Sequence, residues 1–246
     1  MSVVLTENAR ILRVHRRISC EPENPSKIMG FLFPITKGMT VLDALLWVKE
    51  HKAQGLAFRY SCRMGICGSC GILINGEPEL ACETQITALS GDAIEVAPLP
   101  NFPVVRDLVT EFQGFFSHHT WVMPYLIRRN PVETGERELL QTEEEKLRYY
   151  QFTMCIMCGL CNAACPIVGV DQEYLGPQAL TQAYRLAVDS RDEGWSRRKA
   201  SLDTVHGCWG CTVAGSCSAA CPKGVDPALA IQLLKRKVLL RFARER

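Results

Sequence analysis

The hydrophobic pattern of this chain changes character once along its length. Before Pro98 the apolar residues fall in short runs of strand type, at Val3–Leu5, Ile11–His15, Ile72–Ile74 and Ala93–Val96. One stretch there is different: Thr40 to Val48 places apolar residues at helical spacing, with Thr40 positioned as the N-cap. Ile72–Ile74 runs straight into Asn75-Gly76, a dipeptide suited to the left-handed backbone of a tight hairpin. Pro98 and Pro100 end the closing strand at Ala93–Val96. From Pro103 onward the spacing lengthens to that of helices. Arg128 to Gln141 reads as a polar connection, and Thr142 with Glu145 as a capping box starting a helix that leads to Cys155. Gln178 to Val188 puts Leu180, Ala183, Tyr184, Ala187 and Val188 on one face, and Pro227 to Phe242 closes the chain as another helix. The pattern predicts an α+β protein of two domains, a β-rich one over 1–105 and an α-rich one over 106–246.

Composition narrows the function classes. The chain has 246 residues, 47% apolar and 22% charged, an ordinary globular balance. A net charge of +2 gives no reason to expect nucleic acid. No run approaches the roughly 20 apolar residues of a membrane-spanning helix. The N-terminus reads neither as a secretory signal nor as an Arg/Ser-rich transit peptide, so a reducing compartment is expected. Against that background 13 cysteines stand out. Twelve of them are bunched at short gaps, which points to metal rather than to disulfides.

Cys62, Cys67, Cys70 and the later Cys82 follow the C-x4-C-x2-C…C spacing of plant-type [2Fe–2S] ferredoxins. Gly65, Gly68 and Gly71 let the backbone approach the sulfurs without a Cβ in the way. Zinc also accepts four thiolates, but its sites usually come as paired C-x2-C knuckles rather than a glycine-rich loop with a lone fourth cysteine. Cys155, Cys158, Cys161 and Cys165, followed by Pro166, form the C-x2-C-x2-C-x3-C-P run of bacterial ferredoxins, in which the fourth cysteine serves the other cluster. A second run in the same register holds Cys211, Cys217 and Cys221, with Ala214 where its second cysteine belongs. Crossing the fourth ligands assigns Cys155, Cys158, Cys161 and Cys221 to a [4Fe–4S] cluster. The other site receives Cys165, Cys211 and Cys217, three thiolates that suit [3Fe–4S]. A second reading has Cys208 supplying the missing thiolate. Cys20 lies outside every motif and reads as a small buried hydrophobe.

The whole pattern resembles the iron–sulfur subunit of succinate dehydrogenase and fumarate reductase. The resemblance rests on FRYSCRMGICGSCG around Cys62, NFPVVRDLV at the joint of the two predicted domains, CGLCNAACP, Gly176-Pro177, DSRD at 189–192 and CPKGVDP at 221–227. It implies a β-grasp plant-type ferredoxin domain followed by a helical two-cluster domain. It also implies an electron wire between the FAD of a flavoprotein subunit and a quinone near a membrane-anchor subunit, with no acid or base catalyst in this chain. By the same resemblance the chain belongs peripherally on the cytoplasmic face of a prokaryotic membrane. Ubiquinone-type relatives carry tryptophan soon after the first Cys-Pro and histidine after the first cysteine of the last run. Here Val168-Gly169-Val170 and Thr212 stand there, which favours a menaquinone-type partner. Pro166, Thr212 and Lys235 are the quinone-proximal candidates; for Lys235 a solvated charge in a basic stretch is the competing reading. A free multi-cluster electron carrier, a zinc-stabilised interaction module and the subunit of a related flavoenzyme are the alternatives.

Overall fold

The computed structural model describes residues 9–17, 27–129 and 138–242. The expected strand at Val3–Leu5, Cys20 and the middle of the connection between Arg128 and Gln141 lie outside them. The chain forms two compact units. One runs to Phe112 and includes Ile156–Ala163; the other comprises Gln113–Cys155 and the chain from Ala164 onward.

The first unit is built on a five-stranded mixed sheet. Its strands are β1 (Ala9–Arg16), β2 (Lys27–Pro34), β3 (Gly71–Ile74), β4 (Glu77–Leu80) and β5 (Ala93–Ala97), in the order β2-β1-β5-β3-β4. The expected closing strand β5 therefore lies in the middle of the sheet, parallel to β1 and antiparallel to β3. Pairing of Leu12 with Ile94, Val14 with Val96 and Ile74 with Val96 stacks the inward positions of three strands on one face. Helix α1 (Val41–His51) covers that core with Val41, Leu42, Ala44, Leu45 and Val48. A fully buried Val or Leu contributes about 1.5–3 kcal/mol, so this face is a main source of the unit's stability. Thr40 caps α1 as expected: its hydroxyl accepts from the Asp43 N–H while Asp43 accepts from the Thr40 N–H. The hairpin β3–β4 turns through Asn75 and Gly76, both at positive φ. Strand β2 had no signal in the pattern because it is an edge strand with seven of its eight residues at least partly exposed, so its residues are not sorted into inward and outward positions.

Beyond Pro98 a short hairpin, β6 (Val104–Arg106) and β7 (Val109–Thr110), precedes the helical part. Its turn residue Asp107 is buried, with a carboxylate that accepts from the Arg17 and Ala57 N–H groups at 3.1 and 2.9 Å and from the Arg16 guanidinium at 3.2 Å. The NFPVVRDLV motif thus fastens the end of β1 to the loop after α1.

In the second unit come α2 (Gln113–Trp121) and α3 (Glu143–Leu147). The Thr142–Glu145 capping box is present, but the helix it starts stops at Leu147, and a separate 3₁₀ turn over Tyr150–Met154 leads to Cys155. Helix α4 (Leu160–Ala163) belongs to the first unit. The second unit continues with α5 (Pro166–Val170), α6 (Gly176–Ala187), α7 (Trp195–Leu202), α8 (Ser216–Ala219) and α9 (Pro227–Phe242). The predicted face of α6 packs on Ala230, Ile231, Leu234 and Val238 of α9. More of α6 is buried than its pattern implied, including Gln178, Thr181 and Gln182, and Val188 is its C-cap.

Arg198 of α7 is fully buried and pairs with the equally buried Asp192 at 2.6 Å. Its remaining donors reach the carbonyls of Val122, Met123 and Tyr125. No helix among the described residues is long and apolar enough to cross a membrane.

Candidate metal centres

The loop from Cys62 to Cys70 lies between α1 and β3, and β4 returns the chain to Cys82. Its backbone turns inward on the sulfurs. Cys62 Sγ accepts from the N–H groups of Ile66 and Cys67 at 3.3 Å and of Met64 at 3.5 Å. Cys67 Sγ accepts from the Cys62 N–H at 3.4 Å, and Cys82 Sγ from the Gly65 N–H at 3.2 Å. Such a ring of donors stabilises sulfur that carries negative charge, as thiolates on iron do. Positive φ at Arg63, Gly65 and Gly68 directs these N–H groups. Hydrogen bonding from Ser69 and from the Cys62 backbone lowers the Cys67 thiol to about 6, whereas burial pushes Cys70 up to about 12. Cys70 and Cys82 are buried; Met64 and Ile66 are exposed at the loop tip.

Gly68 also meets the second cysteine run. A Cβ there would sit 2.7 Å from Cys158 Cβ and 2.9 Å from its Cα, inside any allowed contact. The segment Ile156–Ala163 is seated in this unit by Leu160, which is fully buried, and by Asn101, whose amide donates to the carbonyls of Asn162 and Ala163. Gly68→Ala is therefore expected to cost roughly 2–4 kcal/mol, from a left-handed φ and a blocked contact together. Gly38→Ala, at a similar φ with open space around it, is the control for the first effect. If thermal loss of the visible absorption shifts equally in both variants, the close contact contributes nothing.

Of the set read as [4Fe–4S], Cys158 and Cys161 belong to the first unit, and Cys155 and Cys221 to the second. Within the second unit the Gln178 amide lies 4.0 Å from Cys155 Sγ and 3.1 Å from His119 Nδ1.

Cys165, Cys211 and Cys217 line one cavity of the second unit. Ala214 lines it too, between Val213 and Gly215, both at positive φ (62° and 78°). Met157 and Gly159 flank Cys158 with the same pair of left-handed residues (54° and 80°). Ala214 thus stands on a loop shaped like one that presents a thiolate, and lacks only the sulfur. Cys208 does not line the cavity; it is fully buried in the second core, and burial pushes its thiol up to about 11. Pro166 opens α5 and lines the cavity, as does Thr212. Lys235 donates to the Cys211 carbonyl at 2.8 Å and lies 5.9 Å over the Trp209 ring, so it is tied to this loop rather than standing in solvent.

Tyr174 escaped the sequence reading. It is buried and lines the cavity with Cys165, Cys211 and Cys217. Burial holds the phenol well above its ordinary range, so the hydroxyl keeps its proton. The signal was its place just before Gly176-Pro177, a motif noticed only as a helix start.

Comparison with known proteins finds cluster-binding domains over both cysteine regions. A model of a 2Fe-2S iron-sulfur cluster binding domain matches residues 11–117, and one of a 4Fe-4S dicluster domain matches residues 151–225. The fumarate reductase iron-sulfur subunit of Mycobacterium tuberculosis is 44% identical over 92% of both chains. The succinate dehydrogenase iron-sulfur subunit of Paracoccus denitrificans is 38% identical over 96% of this chain and 90% of its own. Among solved structures, a chain of the Mycobacterium smegmatis Sdh1 complex in the apo form superposes with a TM-score of 0.86 at 26% identity, covering 96% of this chain and 98% of that one. With two cluster-binding domains in series and relatives that match it nearly end to end, the chain belongs to the family of iron–sulfur electron-transfer subunits of succinate dehydrogenase and fumarate reductase.

Proposed function

We propose that this chain carries electrons between the FAD of a flavoprotein subunit and a membrane quinone. Cys62, Cys67, Cys70 and Cys82 hold [2Fe–2S]; Cys155, Cys158, Cys161 and Cys221 hold [4Fe–4S]; Cys165, Cys211 and Cys217 hold [3Fe–4S]. When bound, the clusters supply one-electron carriage between flavin and quinone. The chain's own part is to hold the sulfurs, aim N–H donors at them and exclude water. The observation that carries the reading is the cavity lined by three thiols, with Ala214 on a ligand-shaped loop. Zinc does not call for an incomplete thiolate set in a run that otherwise keeps ferredoxin register.

The surfaces beside the first and third sites suit the two partners. Met64 and Ile66 offer apolar contact next to the [2Fe–2S] loop, the end proposed to meet the flavoprotein. On the segments that carry the third cavity, Val170, Val205 and Val213 are exposed together with Trp209, which suits a membrane anchor. Pro166, Thr212 and Lys235 border the same cavity loop and are the residues proposed nearest the quinone. With Val168-Gly169-Val170 and Thr212 where ubiquinone-type members carry tryptophan and histidine, a menaquinone-type acceptor is favoured. The position is peripheral, on the cytoplasmic face.

Low-temperature EPR of the purified complex tests the assignment. As isolated, the sample is expected to show the signal of an oxidised three-iron cluster, and dithionite is expected to bring up a [2Fe–2S] signal. A silent oxidised sample with two four-iron signals on reduction would mean that Cys208 completes the third site.

A further inference from the structure

Lys235 of α9 is held between a carbonyl and an aromatic ring. Its ammonium donates to the Cys211 carbonyl at 2.8 Å and lies 5.9 Å over the centre of the Trp209 ring. The ring is itself anchored. Its indole N–H donates at 2.7 Å to Asp203, the residue that follows α7 as its C-cap. Trp209 stands in a 3₁₀ turn, Cys208–Gly210, that has little freedom to shift. On one side of it Cys208 is fully buried. On the other, a Cβ at Gly210 would come within 2.8 Å of both the Val205 carbonyl and the Tyr174 ring.

A lysine ammonium on its flexible four-carbon stem is ordinarily a loosely placed charge. A carbonyl on one side and the negative face of an aromatic ring on the other confine it to one place. That place is at the backbone of Cys211, a proposed ligand of the third cluster. A cation held there favours the reduced, more negative state of the cluster over the oxidised one. We propose that Trp209, anchored by Asp203, is a positioning residue that fixes the Lys235 ammonium beside the third cluster. The inference rests on the reading of Cys165, Cys211 and Cys217 as ligands of that cluster. Its consequence is functional: a fixed cation makes the third cluster easier to reduce, so electrons are drawn toward the proposed quinone end.

The test is an EPR-monitored redox titration of the assembled complex, comparing wild type with Trp209→Leu, Lys235→Met and the double variant. Lys235→Met is expected to make reduction of the third cluster about tenfold less favourable, about 59 mV for one electron. Trp209→Leu is expected to cost about two- to fivefold, about 20–40 mV, because the carbonyl still holds the ammonium part of the time. The [2Fe–2S] midpoint should not move in either. In the double variant the two effects should not add, since the ring has nothing left to hold once the ammonium is gone. Asp203→Asn keeps an oxygen for the indole N–H and should match wild type, whereas Asp203→Ala should shift as Trp209→Leu does. Additive effects would overturn the proposal, because Trp209 would then act without Lys235. An unshifted midpoint in either single variant, with a normal three-iron signal, would overturn it too. If Trp209→Leu does not assemble, Asp203→Ala takes its place in the same cycle. Absence of a three-iron signal in the wild type would instead overturn the ligand assignment beneath the proposal, so the two failures are told apart.

Discussion

Replacing Arg198 with methionine is expected to destabilise the helical unit by about 3–5 kcal/mol, a large part of a typical domain's total. The methionine keeps most of the side-chain volume but strands what the guanidinium satisfied. Asp192 would remain as a buried carboxylate held, among the described residues, by the N–H groups of Ile127 and Gly194. The carbonyls of Val122, Met123 and Tyr125 would lose their donor. Arg198→Lys is expected to fare little better, because three rotating donors on one nitrogen cannot span the carboxylate and the carbonyls that the planar fork reaches. Thermal melts of the complex measure the effect, with a fall of roughly 6–20 °C expected for a unit of this size. A midpoint within a degree or two of wild type would show that water or a neighbouring side chain takes over the guanidinium's role.

The second large effect belongs to Ala214. On the proposed ligand assignment, Ala214→Cys is expected to convert the third cluster from three irons to four. The position keeps the register of Cys158, carries the same flanking pair of left-handed residues, and lines the cavity with the other three thiols. The oxidised-state EPR signal should vanish, a second four-iron signal should appear on reduction, and iron per complex should rise by one. Electron delivery to quinone is then expected to fall several-fold, while reduction of an artificial dye that accepts electrons earlier in the chain continues. Cys208→Ser is the companion measurement. A thiol buried in the core and outside the cavity should be replaceable without touching the EPR spectrum. Loss of the three-iron signal in Cys208→Ser, or its persistence in Ala214→Cys, would refute this account of the third site.

The cysteine spacing alone supplied the proposed ligand sets. Bond lengths around iron leave few ways to use closely spaced thiolates, so the proposed sets follow from the spacing within each run and from the crossing of fourth cysteines between the two ferredoxin runs. Local signals also placed α1, α9, the Asn75-Gly76 hairpin and the Thr142 cap, because caps, tight turns and helical stripes are settled within a few residues. What local sequence could not supply was order in space. Strand β5 closes the strand-rich half in sequence but occupies the middle of the sheet, since a parallel pairing with β1 leaves no mark on either strand. Edge strand β2 was silent because exposure erases alternation.

Only the tertiary structure showed what surrounds the proposed ligands. Tyr174, Gln232 and Lys235 come to the Cys211 loop from positions 37 residues before it in the first case and 21 and 24 after it in the others, distances over which no periodicity carries information. Likewise nothing in the sequence pattern singled out Arg198, around whose guanidinium the carbonyls of Val122, Met123 and Tyr125 close. Sequence by itself singled out the thiols proposed to bind iron, because coordination depends on donor type and close spacing. Folding decided which donors reach those atoms and which thiol, Cys208, is kept away from the cavity, because hydrogen bonds and burial depend on neighbours that the chain brings together only when it is packed.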